Sequence, residues 1–172
     1  MQLAISIDRE KCVGCYSCVV ACELEHDLPP HPVRPPLGDP KGPELIRVVR
    51  VGPQIRGDEV HQYFQLIVCR HCLDAPCIEA CPQSSIYRDI ETGIILVKDD
   101  ECTGCESCLE VCPYEAPQLY DGKLHLCDMC IHRLPERKRE GRYTACQAAC
   151  PARVIHVGTT DCPSTRRAQS VL

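Results

Sequence analysis

Tryptophan is absent from this 172-residue chain, phenylalanine occurs once, and aromatic residues make up 4% of it. A chain of this length ordinarily buries a sizeable aliphatic and aromatic core, so something other than ring packing must fill much of this one. No run of 18 apolar residues occurs, which leaves no helical membrane span. The start, MQLAISIDREKC, has no long apolar stretch before its first cysteine, and no secretory leader is read there. Positive charge is not in excess either. Nineteen Lys and Arg stand against 24 Asp and Glu, a formal net charge of −5, so nucleic-acid binding is not expected as the main role. No flavin or pterin motif occurs, and no catalytic residue is assigned. The histidines, at 26, 31, 61, 71, 125, 132 and 156, show no paired metal spacing and read mostly as surface residues or neighbours of a site.

Cysteine is what the chain has in abundance. Sixteen of seventeen fall into four groups of four: Cys12, Cys15, Cys18 and Cys22; Cys69, Cys72, Cys77 and Cys81; Cys102, Cys105, Cys108 and Cys112; and Cys127 and Cys130 with Cys146 and Cys150 after a loop. Cys162 is left over. The third group is the bacterial ferredoxin run C-x2-C-x2-C-x3-C-P, and the first matches it except that Glu23 replaces the proline. Three thiolates two residues apart wrap one cubane iron–sulfur cluster. The fourth, about one helical turn on, faces a neighbouring cluster. Short helices are therefore expected from Cys18 to Cys22 and from Cys108 to Cys112. Gly14 and Gly104 occupy the tight position before the second cysteine, where His71 and Met129 stand in the other groups. Pro82, Pro113 and Pro151 are expected to stop the helices that precede them. Disulfides and structural zinc are the rival uses of so much thiol. The missing leader speaks against the first, and the C-x2-C-x2-C triplet against the second, although Cys127 and Cys130 alone would suit a zinc ion.

Residues 5–22 align without gaps on residues 95–112, sharing an isoleucine, all four cysteines, a glycine and a serine, and CIEACPQSSI (77–86) matches CQAACPARVI (146–155). This A-B-A-B order predicts an α+β fold of duplicated bacterial-ferredoxin-like modules, with short strands at Leu3–Ile7, Ile94–Val97 and Val154–Val157. An insertion at 23–66 divides into a proline-rich surface loop, DLPPHPVRPPLGDPKGP, and a β-hairpin formed by ELIRVVRV and EVHQYFQLIV around Gly52–Asp58. The basic run RLPERKREGR, Arg133–Arg142, interrupts the fourth group and reads as a solvated loop or a docking patch. An oxidised cubane with four thiolates contributes about −2, so four of them would take the chain to about −13.

IDREKCVGCYSCVVAC, CRHCLDAPCIEACPQSSI, VKDDECTGCESCLEVCPY and the split CDMC…ACQAACPARVI together resemble the four-cluster, ferredoxin-like electron-transfer subunits of the dimethyl-sulfoxide-reductase type, found with molybdenum or tungsten pterin oxidoreductases, over residues 3–158. The absent proline after Cys22 is usual for that family. The chain is also similar to the short iron–sulfur subunits that partner tungsten aldehyde oxidoreductases, and nothing substantial follows its fourth group. The resemblance implies four [4Fe-4S] clusters in two lobes. Residues 1–22 and 123–158 would form the first lobe, with Cys12, Cys15, Cys18 and Cys150 on one cluster and Cys127, Cys130, Cys146 and Cys22 on its neighbour. Residues 67–122 would form the second, with Cys69, Cys72, Cys77 and Cys112 on one cluster and Cys102, Cys105, Cys108 and Cys81 on the other. Residues 159–172 would be a tail. The partners implied are a large Mo/W-pterin catalytic subunit and a second redox partner: a flavin subunit, a ferredoxin or a membrane anchor. With no leader, a cytoplasmic assembly is expected, or export bound to a signal-bearing partner. A free polyferredoxin and a zinc-stapled interaction module are the alternative functions.

Overall fold

A computed structural model of the chain describes residues 2–29, 42–136 and 144–159. Most of the proline-rich segment, the later part of the basic run, Cys162 and the tail beyond Thr159 lie outside the described residues. The first unit is β1 (Leu3–Ile7), a 3-10 turn at Arg9–Lys11, the first ligand loop and α1 (Ser17–Glu25). A hairpin follows, β2 (Ile46–Arg56) and β3 (Glu59–Val68). After the second ligand loop come α2 (Pro76–Glu79) and β4 (Ile86–Arg88). The first pattern then returns as β5 (Ile95–Val97), a 3-10 turn at Asp99–Glu101 and α3 (Ser107–Glu110), followed by the small hairpin β6 (Gln118–Tyr120) and β7 (Lys123–His125). The last elements are a 3-10 helix at Ile131–Glu136, α4 (Ala145–Ala149) and β8 (Ile155–Thr159).

Pairing between distant strands arranges everything else. β1 runs antiparallel to β8, with Ile7 opposite Ile155, and β4 runs antiparallel to β5, with Ile86 opposite Val97. In both pairs the strand leading into a cysteine triplet lies against the strand leaving a Cys-Pro turn. The repeat extends to single hydrogen bonds: Asp8 N–H donates to Val154 O at 2.9 Å, and Lys98 N–H donates to Ser85 O at 2.8 Å. The sequence repeat is thus a repeat of conformation.

Two apolar clusters fill the interior. One joins β1, α1, β2, β3 and β8 through Leu3, Ile5, Val19, Ile46, Val68 and Ile155, and the other gathers Ala75, Ile86, Ile95 and Leu124. Cysteines are members of both, including Cys18, Cys22 and Cys146 in the first and Cys77 and Cys108 in the second. Leu45, Ile46, Val48 and Leu66 are buried with the first cluster, so the base of the hairpin is part of that core.

Two local expectations are corrected. The hairpin turn is confined to Gly57–Asp58, because β2 continues through an irregularity at Gly52–Pro53 as far as Arg56. The helix expected from Cys108 to Cys112 stops at Glu110, since Pro113 supplies no N–H and biases Cys112 away from helical geometry. Glu23 imposes no such limit after Cys22, and α1 runs on to Glu25.

Candidate metal centres

The first C-x2-C pair of each group folds around a residue in the left-handed conformation: Gly14 at φ +64°, His71 at +48°, Gly104 at +68° and Met129 at +54°. Glycine is the residue that takes this conformation without strain. Crowding gives a second reason for it in two loops. A Cβ on Gly14 would lie 2.5 Å from the Phe64 ring, and one on Gly104 would lie 2.6 Å from the Gly122 carbonyl oxygen. His71 and Met129 accept the strain and are fully buried. The turn directs the following amide toward the first sulfur, and the N–H groups of His71 and Met129 donate to Cys69 Sγ (3.4 Å) and Cys127 Sγ (3.5 Å).

Three Cys-Pro turns are likewise built to one plan. Ser84, Glu115 and Arg153, each three residues beyond its cysteine, have φ of +52°, +51° and +52°. Their N–H groups donate to the carbonyls of Cys81, Cys112 and Cys150 at 3.1, 3.2 and 3.2 Å.

The strand pairs bring each turn against a triplet from elsewhere in the chain. One pocket is lined by Cys12, Cys15, Cys18 and Cys150. A second is lined by Cys102, Cys105, Cys108 and Cys81. Cysteines outside these two cavities are raised by burial and by nearby thiols. Cys77 is pushed up by burial and then by Cys112 and Cys72. Burial raises Cys69 to about 12, helped by Cys77, Cys72 and Cys112. Cys127 is driven well above the ordinary thiol range by burial, then by Cys146 and Cys22. Cys22 is raised by burial, then by Cys146 and Cys130. All sixteen predicted site cysteines are described, and none of them forms a disulfide.

Cys22, Cys127, Cys130 and Cys146, each raised first by burial and then by charged neighbours, cannot all ionise without a cation among them. Cys18, raised to about 12, and Cys108, raised to about 11, each feel burial first and the thiols of their own loop among the rest. Such a donor set suits a thiophilic iron cluster, whose binding would displace the protons.

Spacing did not reveal the polar neighbours of the sulfurs. Ser17 and Ser107 hydroxyls lie 3.5 and 3.6 Å from Cys15 and Cys105 and hold these exposed thiols below their usual value. Ser85 lies 3.2 Å from Cys81, and Thr144, which also caps α4, lies 3.2 Å from Cys146. The serine at the same offset in both aligned stretches, and Ser85 four residues beyond Cys81, were the available signals. His71, between Cys69 and Cys72, is buried: its Nδ1 accepts from Ile95 N–H at 3.0 Å, and its Nε2 has no partner among the described residues.

Known proteins share this pattern. Residues 60–160 match the model of a 4Fe-4S dicluster domain, and residues 5–24 match a 4Fe-4S binding domain. Hydrogenase-2 operon protein HybA of Escherichia coli O157:H7 is 33% identical over 177 residues, covering 93% of this chain and 52% of that protein, so the chain spans about half of HybA. Thiosulfate reductase electron transfer subunit PhsB of Salmonella typhi is 31% identical, covering 93% of this chain and 77% of the relative. One subunit of the anaerobic dimethyl sulfoxide reductase of Escherichia coli K12 is 33% identical, covering 93% of this chain and 75% of that subunit. The cofactors are [4Fe-4S] clusters, and sixteen free thiols fit four of them. Matched across most of its own length and three quarters of the dimethyl sulfoxide reductase subunit, this protein belongs to the 4Fe-4S dicluster family.

Proposed function

We propose that this chain is the electron-transfer subunit of a dimethyl-sulfoxide-reductase-type complex, relaying single electrons between a molybdenum- or tungsten-pterin catalytic subunit and a second redox partner. The observation that carries the reading is the crossed convergence of thiols, three from one group and a fourth from another, around the cavities at Cys150 and Cys81. The ligand sets are Cys12, Cys15, Cys18 and Cys150; Cys22, Cys127, Cys130 and Cys146; Cys69, Cys72, Cys77 and Cys112; and Cys81, Cys102, Cys105 and Cys108. Bound there, the clusters supply reversible one-electron chemistry. The protein supplies the spacing. Cys18 and Cys22 stand four residues apart on α1, so this helix joins two ligand sets across about 6 Å of rise. Serine and threonine hydroxyls and loop amides offset charge at the sulfurs.

The arrangement supports a duplication history with two lobes, residues 1–22 and 123–158 around one cluster pair and 67–122 around the other. Residues 23–66 would serve as an insertion whose outer hairpin faces a partner. The thiosulfate and dimethyl sulfoxide reductase relatives favour a reductase over a tungsten aldehyde oxidoreductase as the parent complex. No helix among the described residues is long and apolar enough to cross a membrane.

Purification from native cells tests the role. Recovery with a large pterin-containing chain is expected, whereas a lone monomer would favour a free polyferredoxin. Iron analysis tests the ligands. The intact protein should hold about sixteen iron atoms, Cys22→Ser about twelve, and Cys162→Ser about sixteen. Loss of the Cys12–Cys150 cluster alone in Cys22→Ser would overturn the crossed pairing.

A further inference from the structure

Three of the four groups end in Cys-Pro, and in those the chain turns within three residues. The first group ends in Cys22-Glu23, and α1 continues until His26 caps it, with the His26 N–H donating to Cys22 O at 3.1 Å. That additional turn carries Glu25 and His26 to the fourth group. His26 Nε2 stands 3.7 Å from Cys130 Sγ and 3.4 Å from Asp128 Oδ1. Asp128 in turn accepts from the Cys130 N–H at 2.8 Å, so Asp128 and Cys130 form one acceptor pair facing the imidazole. The ring is held from its other side. His132 packs edge-on against it with centroids 5.7 Å apart, His132 Nε2 lies 2.7 Å from Glu25 Oε1, and Arg133 pairs with the same carboxylate. Among the described residues, no other cysteine sulfur has an imidazole within hydrogen-bonding distance; the remaining side-chain contacts come from hydroxyls.

We propose that His26 is a positioning residue that donates from Nε2–H to the Cys130 sulfur and raises the reduction potential of the cluster held by Cys22, Cys127, Cys130 and Cys146. The inference rests on that ligand set. A donor to a ligand sulfur withdraws charge from it and favours the reduced form, which carries one more electron. Removing the donor lowers the potential. The proline missing after Cys22 thus has a functional counterpart: without it the helix is long enough to deliver an imidazole, the one such contact to a cysteine sulfur among the described residues.

The test is a reductive titration of the intact, iron-loaded protein followed by electron paramagnetic resonance. It compares wild type, His26→Phe and His26→Gln, with iron counted in each and Cys22→Ser used to assign the signal. Expected is full iron content in both His26 variants, a fall in one potential in His26→Phe, and partial recovery in His26→Gln, whose amide can still donate. Four unchanged potentials in His26→Phe would overturn the donor role. Loss of iron in both His26 variants would also overturn it, by making His26 structural. A shift in a signal that Cys22→Ser leaves intact would overturn the ligand set beneath the proposal and leave donation by His26 standing.

Discussion

Gly104 shows how much of a metal site can rest on one missing methyl group. Its backbone is left-handed and its α-carbon faces a carbonyl of the β6–β7 turn, so Gly104→Ala meets both torsional strain and fixed backbone. The torsional part alone costs about 1–2 kcal/mol. Gly57, at φ +64° with no atom within 4 Å of the place a methyl group would take, isolates that part. Anaerobic thermal melts should show Gly104→Ala less stable than Gly57→Ala, with iron lost only from the former. Equal losses would mean that the Gly122 carbonyl yields freely. At this scale the sequence was readable where chemistry demands a residue type, as with the sixteen cysteines and the two loop glycines. It was unreadable where only conformation repeats. Serine, glutamate and arginine at 84, 115 and 153 share a left-handed turn, and none of the three residue types announces one.

Helix length is decided by the residue immediately after each fourth cysteine. Glu23→Pro should end α1 early, costing about 3 kcal/mol or more through a lost hydrogen bond and a ring clash. It should also withdraw His26 from Cys130, so the potential lowered in His26→Phe should fall here too, together with the melting temperature. A lowered melting temperature with an unmoved potential would separate the helix turn from the sulfur. Strand pairing is as consequential. Ile155 in β8 is buried opposite Ile7, and Ile155→Ala should cost about 2–5 kcal/mol and release the Cys12–Cys150 cluster first. Ile90→Ala, at a side chain 92% exposed, should change stability by less than about 0.5 kcal/mol. Period-2 patterns and the internal repeat made most of these strands legible beforehand. The pairing of β1 with β8 was not, because partners almost the whole chain apart leave no local mark, and the resemblance to four-cluster subunits supplied the crossed ligands instead.

As a whole, the molecule substitutes thiols and their bound clusters for the ring packing its composition lacks, since cysteines are members of both apolar clusters. Folding and metal loading should therefore be one transition. Stripping iron from the native protein with an oxidant and chelator should collapse its circular dichroism and amide dispersion, and anaerobic reconstitution should restore both; a spectrum that survives stripping would show that the apolar residues suffice alone. The union of β1 with β8 also sets a timetable for biosynthesis. In the proposed ligand sets, residues 69–112 contain every thiol of the two inner sets, whereas Cys12, Cys15 and Cys18 would wait for Cys150 to be translated. On the ribosome the inner pair can be completed while the earliest thiols stay open. The oldest part of the nascent chain is then the last to be sealed, and it is there that a metallochaperone has the longest opportunity to act.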